Sequence, residues 1–199
     1  MKRLLIAGLG NPGDEYANSR HNAGADYIDL LCKNYSLSLE NENQINGSVA
    51  KLKTEEYELI FVIPSTYMNE SGLCISKSKK FLNLNTEEIL VAHDELDLPK
   101  SVIRLKESGG HGGHNGLRNI IDQLKGDNAF KRLRIGIGKP VKENNAISYV
   151  LKKAPLKDRE NLEKQLLNYL RLGEEIIIDG WQKTVMKYHT LKEEEKNES

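Results

Sequence analysis

Polar residues able to do chemistry stand in a few glycine- and proline-rich stretches of this 199-residue chain. Asn11 lies in Gly8-Leu9-Gly10-Asn11-Pro12-Gly13, and His21 in Arg20-His21-Asn22. Asn69 closes Pro64-Ser65-Thr66-Tyr67-Met68-Asn69, and Asp94 sits in His93-Asp94-Glu95-Leu96-Asp97. The turn His111-Gly112-Gly113-His114-Asn115-Gly116 completes the set. Histidine is the natural general base near neutral pH, and a neighbouring aspartate fixes its tautomer and stabilises its protonated form. Asparagine amides hold a carbonyl or stabilise charge developing on it. No Gly-x-Ser-x-Gly elbow is present, and neither Cys32 nor Cys74 sits in a polar, histidine-bearing segment. A base without a protein nucleophile points to direct attack by water.

Each residue also has a plainer reading. His21 could be a helix-terminal residue satisfied by backbone, and Asp94 and Asp97 could shape a turn. Asn11 could do turn work before Pro12, and Asn69 could cap a helix. Tyr67 and Met68 could be core residues, and the glycine-rich turn could be a mobile loop. A zinc site from His93, Asp94, His111 and His114 matches no familiar ligand spacing.

The elements that must position these groups follow from periodicity. Short apolar runs predict strands over 3–9, 46–53, 57–63, 89–92, 102–106 and 133–137. Spacings of three and four predict helices over 22–33, 69–82, 116–124 and a long one over 156–178, with Gly180 as its terminator. Strands and helices interleave, which predicts one compact α/β domain over 1–189 with a twisted mixed sheet, followed by a charged, disordered tail over 190–199. Strand ends of one sheet converge, so Asn11, His21, Asn69 and Asp94 are expected in one cleft. Gly8, Gly10 and Gly13 satisfy the dinucleotide fingerprint after a strand. Against it, the next helix starts too late to cap a phosphate there, and Asp14 and Glu15 would repel one.

Net charge is zero, with 29 basic and 29 acidic residues, but the charges are segregated. Residues 38–99 carry 5 basic and 11 acidic side chains, whereas 100–139 carry 9 and 3. A basic face over 100–139 suits a polyanion; a solvated lysine-rich surface is the alternative. Two cysteines are too few for a disulfide scaffold or a thiolate metal site. No apolar run approaches a membrane span, and no signal peptide is recognisable, so a cytoplasmic protein is expected.

Together, the stretches 8–13 with Tyr16, 20–24, 64–72, 91–99, 109–117 and 132–138 resemble the bacterial-type peptidyl-tRNA hydrolase family, from Leu5 to His189. The resemblance implies hydrolysis of the ester between an N-blocked peptide, or N-acyl amino acid, and the terminal ribose of tRNA. It implies His21 as base, oriented by Asp94, with Asn11 sensing the peptide and sparing aminoacyl-tRNA that has a free amine. Asn69 and Asn115 would contact the substrate and help place the carbonyl or the water. Tyr16 and Tyr67 would meet the acceptor end, Met68 and His114 would line the cleft, and Arg104, Lys106 and Arg134 would grip tRNA phosphates. A mobile lid would span about 140–152. No cofactor, metal, membrane or obligate protein partner is implied, and such enzymes are usually monomers. Arg104 stands where a lysine is often seen, Lys100-Ser101 replaces a Pro-Gly-like turn, and Ser108 interrupts a glycine run.

Overall fold

Alternation along the strands decides the architecture. In β1 (Lys2–Gly8) Leu4 and Ile6 face one side of the sheet, Leu5 and Ala7 the other, and all four are buried. In β4 (Tyr57–Pro64) Leu59 and Phe61 are divided from Ile60 and Val62 in the same way. In β5 (Ile89–Glu95) Leu90 and Ala92 are divided from Ile89 and Val91. Strands that are apolar on both faces need helices on both faces. The computed structural model, which describes residues 1–140 and 146–197, supplies them.

The sheet has seven strands. With β2 (Glu40–Glu42), β3 (Gly47–Lys53), β6 (Ile103–Glu107) and β7 (Lys131–Gly136), the order is β2-β3-β4-β1-β5-β7-β6. The central four strands are parallel, and the pairings at both edges are antiparallel. This is a single α/β domain with a mixed sheet. On one face pack α1 (Ala23–Asn34) and the C-terminal helices α5 (Leu156–Leu166), α6 (Leu172–Asp179) and α7 (Trp181–Asn197). On the other pack α2 (Ser71–Phe81) and α3 (Asn115–Gln123). Burying each large apolar side chain, such as Phe61 or Ile28, stabilises the fold by about 1.5–3 kcal/mol. Tyr27 and Tyr35 tie α1 to the C-terminal helices, their hydroxyls donating to the carbonyls of Tyr169 and Leu170 at 2.8 and 3.0 Å.

Two expectations are corrected. The helix over 156–178 is broken: α5 passes through a short 3-10 turn (Leu167–Tyr169) into α6. A straight 23-residue helix would run about 35 Å, longer than the seven-residue strands beneath it, and the break keeps Tyr169, Leu172 and Ile176 on the sheet. The strand over 89–92 continues to Glu95, so His93 and Asp94 belong to β5 and not to a turn after it. Helix α7 runs to Asn197. Of the expected lid, residues 141–145 lie outside the described residues, and Ala146–Leu151 form α4.

Helix α1 must approach the sheet closely, because His21 enters the site from the turn just before it. A Cβ on Gly24 would meet the Ala92 carbonyl oxygen at 2.2 Å and the Leu9 nitrogen at 2.6 Å, backbone that cannot yield cheaply. Gly24→Ala is therefore expected to lower unfolding stability by about 1–3 kcal/mol. Gly110→Ala, where a Cβ meets nothing within 4 Å, should stay within about 0.5 kcal/mol. Urea denaturation of the two variants checks the contrast.

Candidate active site

Strands β4, β1, β5 and β7 end on one side of the sheet, where open α/β sheets bind ligands. The cleft there has a volume of about 710 Å³. The loop after β1 brings Asn11 and Tyr16 to it, and the 3-10 turn Arg20–Asn22 brings His21. Tyr67, Met68 and Asn69 come from the segment after β4, Asp94 from β5, and His114 and Asn115 from the start of α3. All nine residues expected around the reacting end of the substrate thus line one cleft. Among the described residues, no serine, threonine or cysteine lines it.

Asp94 is buried, and its Oδ1 lies 2.8 Å from His21 Nδ1 and 2.8 Å from His114 Nε2. Burial alone would raise its pKa. The His114 and His21 imidazoles outweigh burial and hold the carboxyl well below the usual carboxylate range. An ionised carboxylate only accepts, so the proton of neutral His21 sits on Nδ1. Nε2 keeps its lone pair, on a ring that lines the cleft.

His93 packs behind this pair. Its Nδ1 donates to the Asp94 carbonyl at 2.7 Å, and its ring lies 5.1 Å from that of His114, edge-on. Its buried Nε2 has no partner among the described residues. Burial, with the His114 ring as a lesser cause, pushes the His93 pKa down to about 3. His93 is therefore neutral wherever the enzyme works. Of the zinc alternative, only Asp94 and His114 come together, with His21 in place of the other expected ligands: the ligand atoms of these three lie within 4.8 Å of one another, while His93 turns away to backbone. Holding a cation there would require both imidazoles to give up their hydrogen bonds to Asp94.

Asn11 is held from two sides. Asn22 clamps its backbone: Asn22 Oδ1 accepts from Asn11 N at 2.9 Å, and Asn22 Nδ2 donates to Asn11 O at 3.0 Å. The Asn11 side-chain Oδ1 accepts from the Met68 backbone N–H at 2.7 Å. With its oxygen committed, Asn11 can offer only Nδ2, a donor. Asn22 has no assigned role in the sequence reading; its adjacency to His21 was the available signal. Asn69 caps no helix, since Tyr67 precedes the 3-10 turn Met68–Glu70 and Glu70 precedes α2. Asn69 and Asn115 are exposed, and neither side chain makes a hydrogen bond among the described residues. Tyr16 and Tyr67 meet edge to face at 6.2 Å, and Tyr67 is 51% exposed.

Arg104, Lys106 and Arg134 do not line the cleft. They lie beside it on one face of the β6–β7 ribbon, where Arg104 pairs in register with Arg134, and Lys106 with Arg132. Leu105, Leu133, Ile103 and Ile135 fill the opposite, core-facing side. Arg134 is paired with Glu95 at 2.9 Å, and Arg132 donates to the carbonyls of Gly109 and Gly110, anchoring the glycine loop. Lys106 is exposed. At the far rim, Arg20 stacks over Tyr149 at 4.2 Å and donates to the Tyr149 carbonyl at 3.1 Å, tying α4 to the turn that carries His21.

A histidine held by a buried carboxylate, free amides and a flanking basic ribbon suit a hydrolytic site on an α/β sheet. The family model for peptidyl-tRNA hydrolase matches residues 5–198. A peptidyl-tRNA hydrolase of Vibrio cholerae serotype O1 is 44% identical over 190 residues, 96% of this chain and 97% of that protein. One of Pasteurella multocida is 44% identical over 188 residues, 94% of this chain and 97% of that protein. The crystal structure of peptidyl-tRNA hydrolase from Acinetobacter baumannii superposes with a TM-score of 0.85 at 39% identity, covering 92% of each chain. The chain belongs to the peptidyl-tRNA hydrolase family. It hydrolyses the ester bond of peptidyl-tRNA, releasing the peptide from the tRNA. No helix among the described residues is long and apolar enough to cross a membrane.

The buried neutral His93 makes stability depend on pH. Its folded pKa, about 3, lies below the ordinary 6.5, so below about pH 6.5 the unfolded chain binds a proton that the folded chain refuses. This site therefore costs stability as pH drops from about 6.5 to 5, by up to about 1.4 kcal/mol per pH unit. Asp26, whose carboxyl is pushed up to about 7 by burial, acts with the opposite sign over the same window, because the folded chain there holds a proton that the unfolded chain has lost. Urea denaturation across this window should show the wild type losing stability relative to His93→Asn as pH falls, a difference in which the Asp26 contribution, common to both proteins, cancels.

Proposed function

We propose that His21 Nε2 is the general base that activates water, with Asp94 as its orienting partner. The observation that carries this reading is the 2.8 Å contact between His21 Nδ1 and the buried Asp94 carboxylate, in a cleft lined, among the described residues, by no serine, threonine or cysteine that could act as nucleophile. His21 takes a proton from water as the water oxygen attacks the ester carbonyl carbon. The amides of Asn69 and Asn115 donate to the oxyanion or hold the water in line. As the tetrahedral intermediate collapses, the imidazolium returns the proton to the departing ribose oxygen.

Asn11 reads whether the substrate is blocked. Its oxygen is committed to the Met68 N–H, so the group facing the cleft is a donor. A donor suits the acyl carbonyl of an N-blocked residue and opposes the α-ammonium of unblocked aminoacyl-tRNA, which is itself a donor and a cation. The exposed faces of Tyr16 and Tyr67 suit the bases of the acceptor end. Arg104, Lys106 and Arg134 suit its phosphates, with Lys106 the most exposed of the three and Arg134 already sharing its charge with Glu95. Within this reading the protein acts as a monomer. The corresponding role is recycling, in the cytoplasm, of tRNA that left the ribosome with its peptide attached.

Release of labelled acyl groups from N-acetyl-aminoacyl-tRNA and from unblocked aminoacyl-tRNA tests both assignments. His21→Ala should lose at least ~100-fold in turnover of the blocked substrate, and near-wild-type turnover would remove His21 from the mechanism. Asn11→Asp should narrow the preference for the blocked substrate at least about ten-fold, because an acceptor now faces the ammonium. An unchanged ratio would show that discrimination lies elsewhere. Lys106→Ala should weaken tRNA binding and reduce the slope of log affinity against log salt by about 1, measured by filter binding.

A further inference from the structure

His114 lines the cleft, where the family resemblance reads it as a substrate contact, but its hydrogen bonds lead into the protein. Its Nδ1 accepts from the backbone N–H groups of Gly116 at 3.1 Å and Leu117 at 3.3 Å, which makes His114 the N-cap of α3. A ring nitrogen that accepts from N–H groups carries no proton, so the proton of the neutral ring is on Nε2. That Nε2 lies 2.8 Å from Asp94 Oδ1, the oxygen that also accepts from His21 Nδ1. Both nitrogens of His114 are thereby committed to the protein, and neither is left to recognise a substrate.

The ring is also wedged in place. The His21 and His93 rings lie 5.0 and 5.1 Å from it on two sides. Behind it Gly116 must lack a side chain, since a Cβ there would meet Met68 Sδ at 2.6 Å and His114 Cε1 at 3.1 Å. The torsion that sets an aspartate's carboxylate plane is soft and two-fold. A carboxylate with one partner could rock about that torsion and re-aim the oxygen that His21 depends on. Here a second donor, fixed to the first turn of a helix, meets the same oxygen.

We propose that His114 is a positioning residue for peptidyl-tRNA hydrolysis: by donating Nε2–H to Asp94 Oδ1, it locks the carboxylate in the orientation that aims His21. The cap of α3 sets which nitrogen carries the proton, and the helix start therefore sets the geometry of the base. This assignment rests on the reading of His21 as general base.

The two jobs of His114 can be separated. Asparagine at this position keeps a cap, its side-chain oxygen accepting from the same backbone N–H groups, but it is too short to reach Asp94. With N-acetyl-aminoacyl-tRNA as substrate, His114→Asn should lower kcat by about 10- to 100-fold and leave KM within about two-fold. Its thermal midpoint should stay close to that of the wild type, whereas His114→Ala loses the cap as well. In an Asp94→Asn background under single-turnover conditions, His114→Asn should cost less than about a further two-fold, because its effect runs through Asp94. A raised KM with kcat intact would make His114 a substrate contact and overturn the assignment. Wild-type kcat, or an equal loss in both backgrounds, would overturn it as well. Failure of the underlying reading shows up separately, as His21→Ala retaining full activity.

Discussion

Oxygen Oδ1 of Asp94 accepts from two imidazoles that arrive from different parts of the fold, and the rest of the site is arranged around that one buried charge. An ionised carboxylate taken out of water is costly unless donors compensate it. The two ring N–H groups supply that compensation at 2.8 Å each. The arrangement also commits both rings to one tautomer. His21 is left with an unprotonated nitrogen on the cleft side, while His114 is used up in holding the carboxylate. Removing either ring would leave the charge short of a partner.

Meeting that constraint takes three elements. Strand β5 carries Asp94 to the end of the sheet, and its last residues remain paired with β7, so the carboxylate sits on a rigid support. Helix α1 presses against β1 and β5 at Gly8 and Gly24, close enough for the turn before it to deliver His21. Helix α3 begins at His114, and its unpaired first N–H groups decide which nitrogen of that ring holds the proton. The Asn11 amide is fixed separately, on the loop after β1, where Asn22 holds the Asn11 backbone and the Met68 N–H holds its side-chain oxygen. The His21–Asp94 contact and the Asn11 clamp are thus adjacent, yet neither uses the other's hydrogen bonds.

Much of this was legible in the sequence because it depends on strand ends. Asn11, Asn69 and Asp94 each stand at or just past the end of an apolar run, His21 opens the helix that follows the first such run, and parallel strands bring such positions together whatever their order. The order itself had no local signature, since it depends on which strands find each other in space. The 156–178 helix read as continuous because Leu162, Leu166, Tyr169 and Leu170 keep helical spacing across the break, and only the extent of the sheet requires the turn. His114 read as a cleft residue: its type and place gave the location, but its role lies in which atoms its two nitrogens meet. That information is tertiary. Asn22 was passed over for the same reason, its partner being the backbone of a loop eleven residues away.

The tautomer of His21 tests the account most directly. Nitrogen-15 NMR of histidine-labelled protein, near neutral pH, distinguishes a protonated Nδ1 from a protonated Nε2. The account predicts that neutral His21 carries its proton on Nδ1, with Nε2 showing the signature of a free acceptor, and that Asp94→Asn disturbs this assignment. A wild-type His21 with its proton on Nε2 would contradict it, because the ring would then have no lone pair to offer water in the cleft.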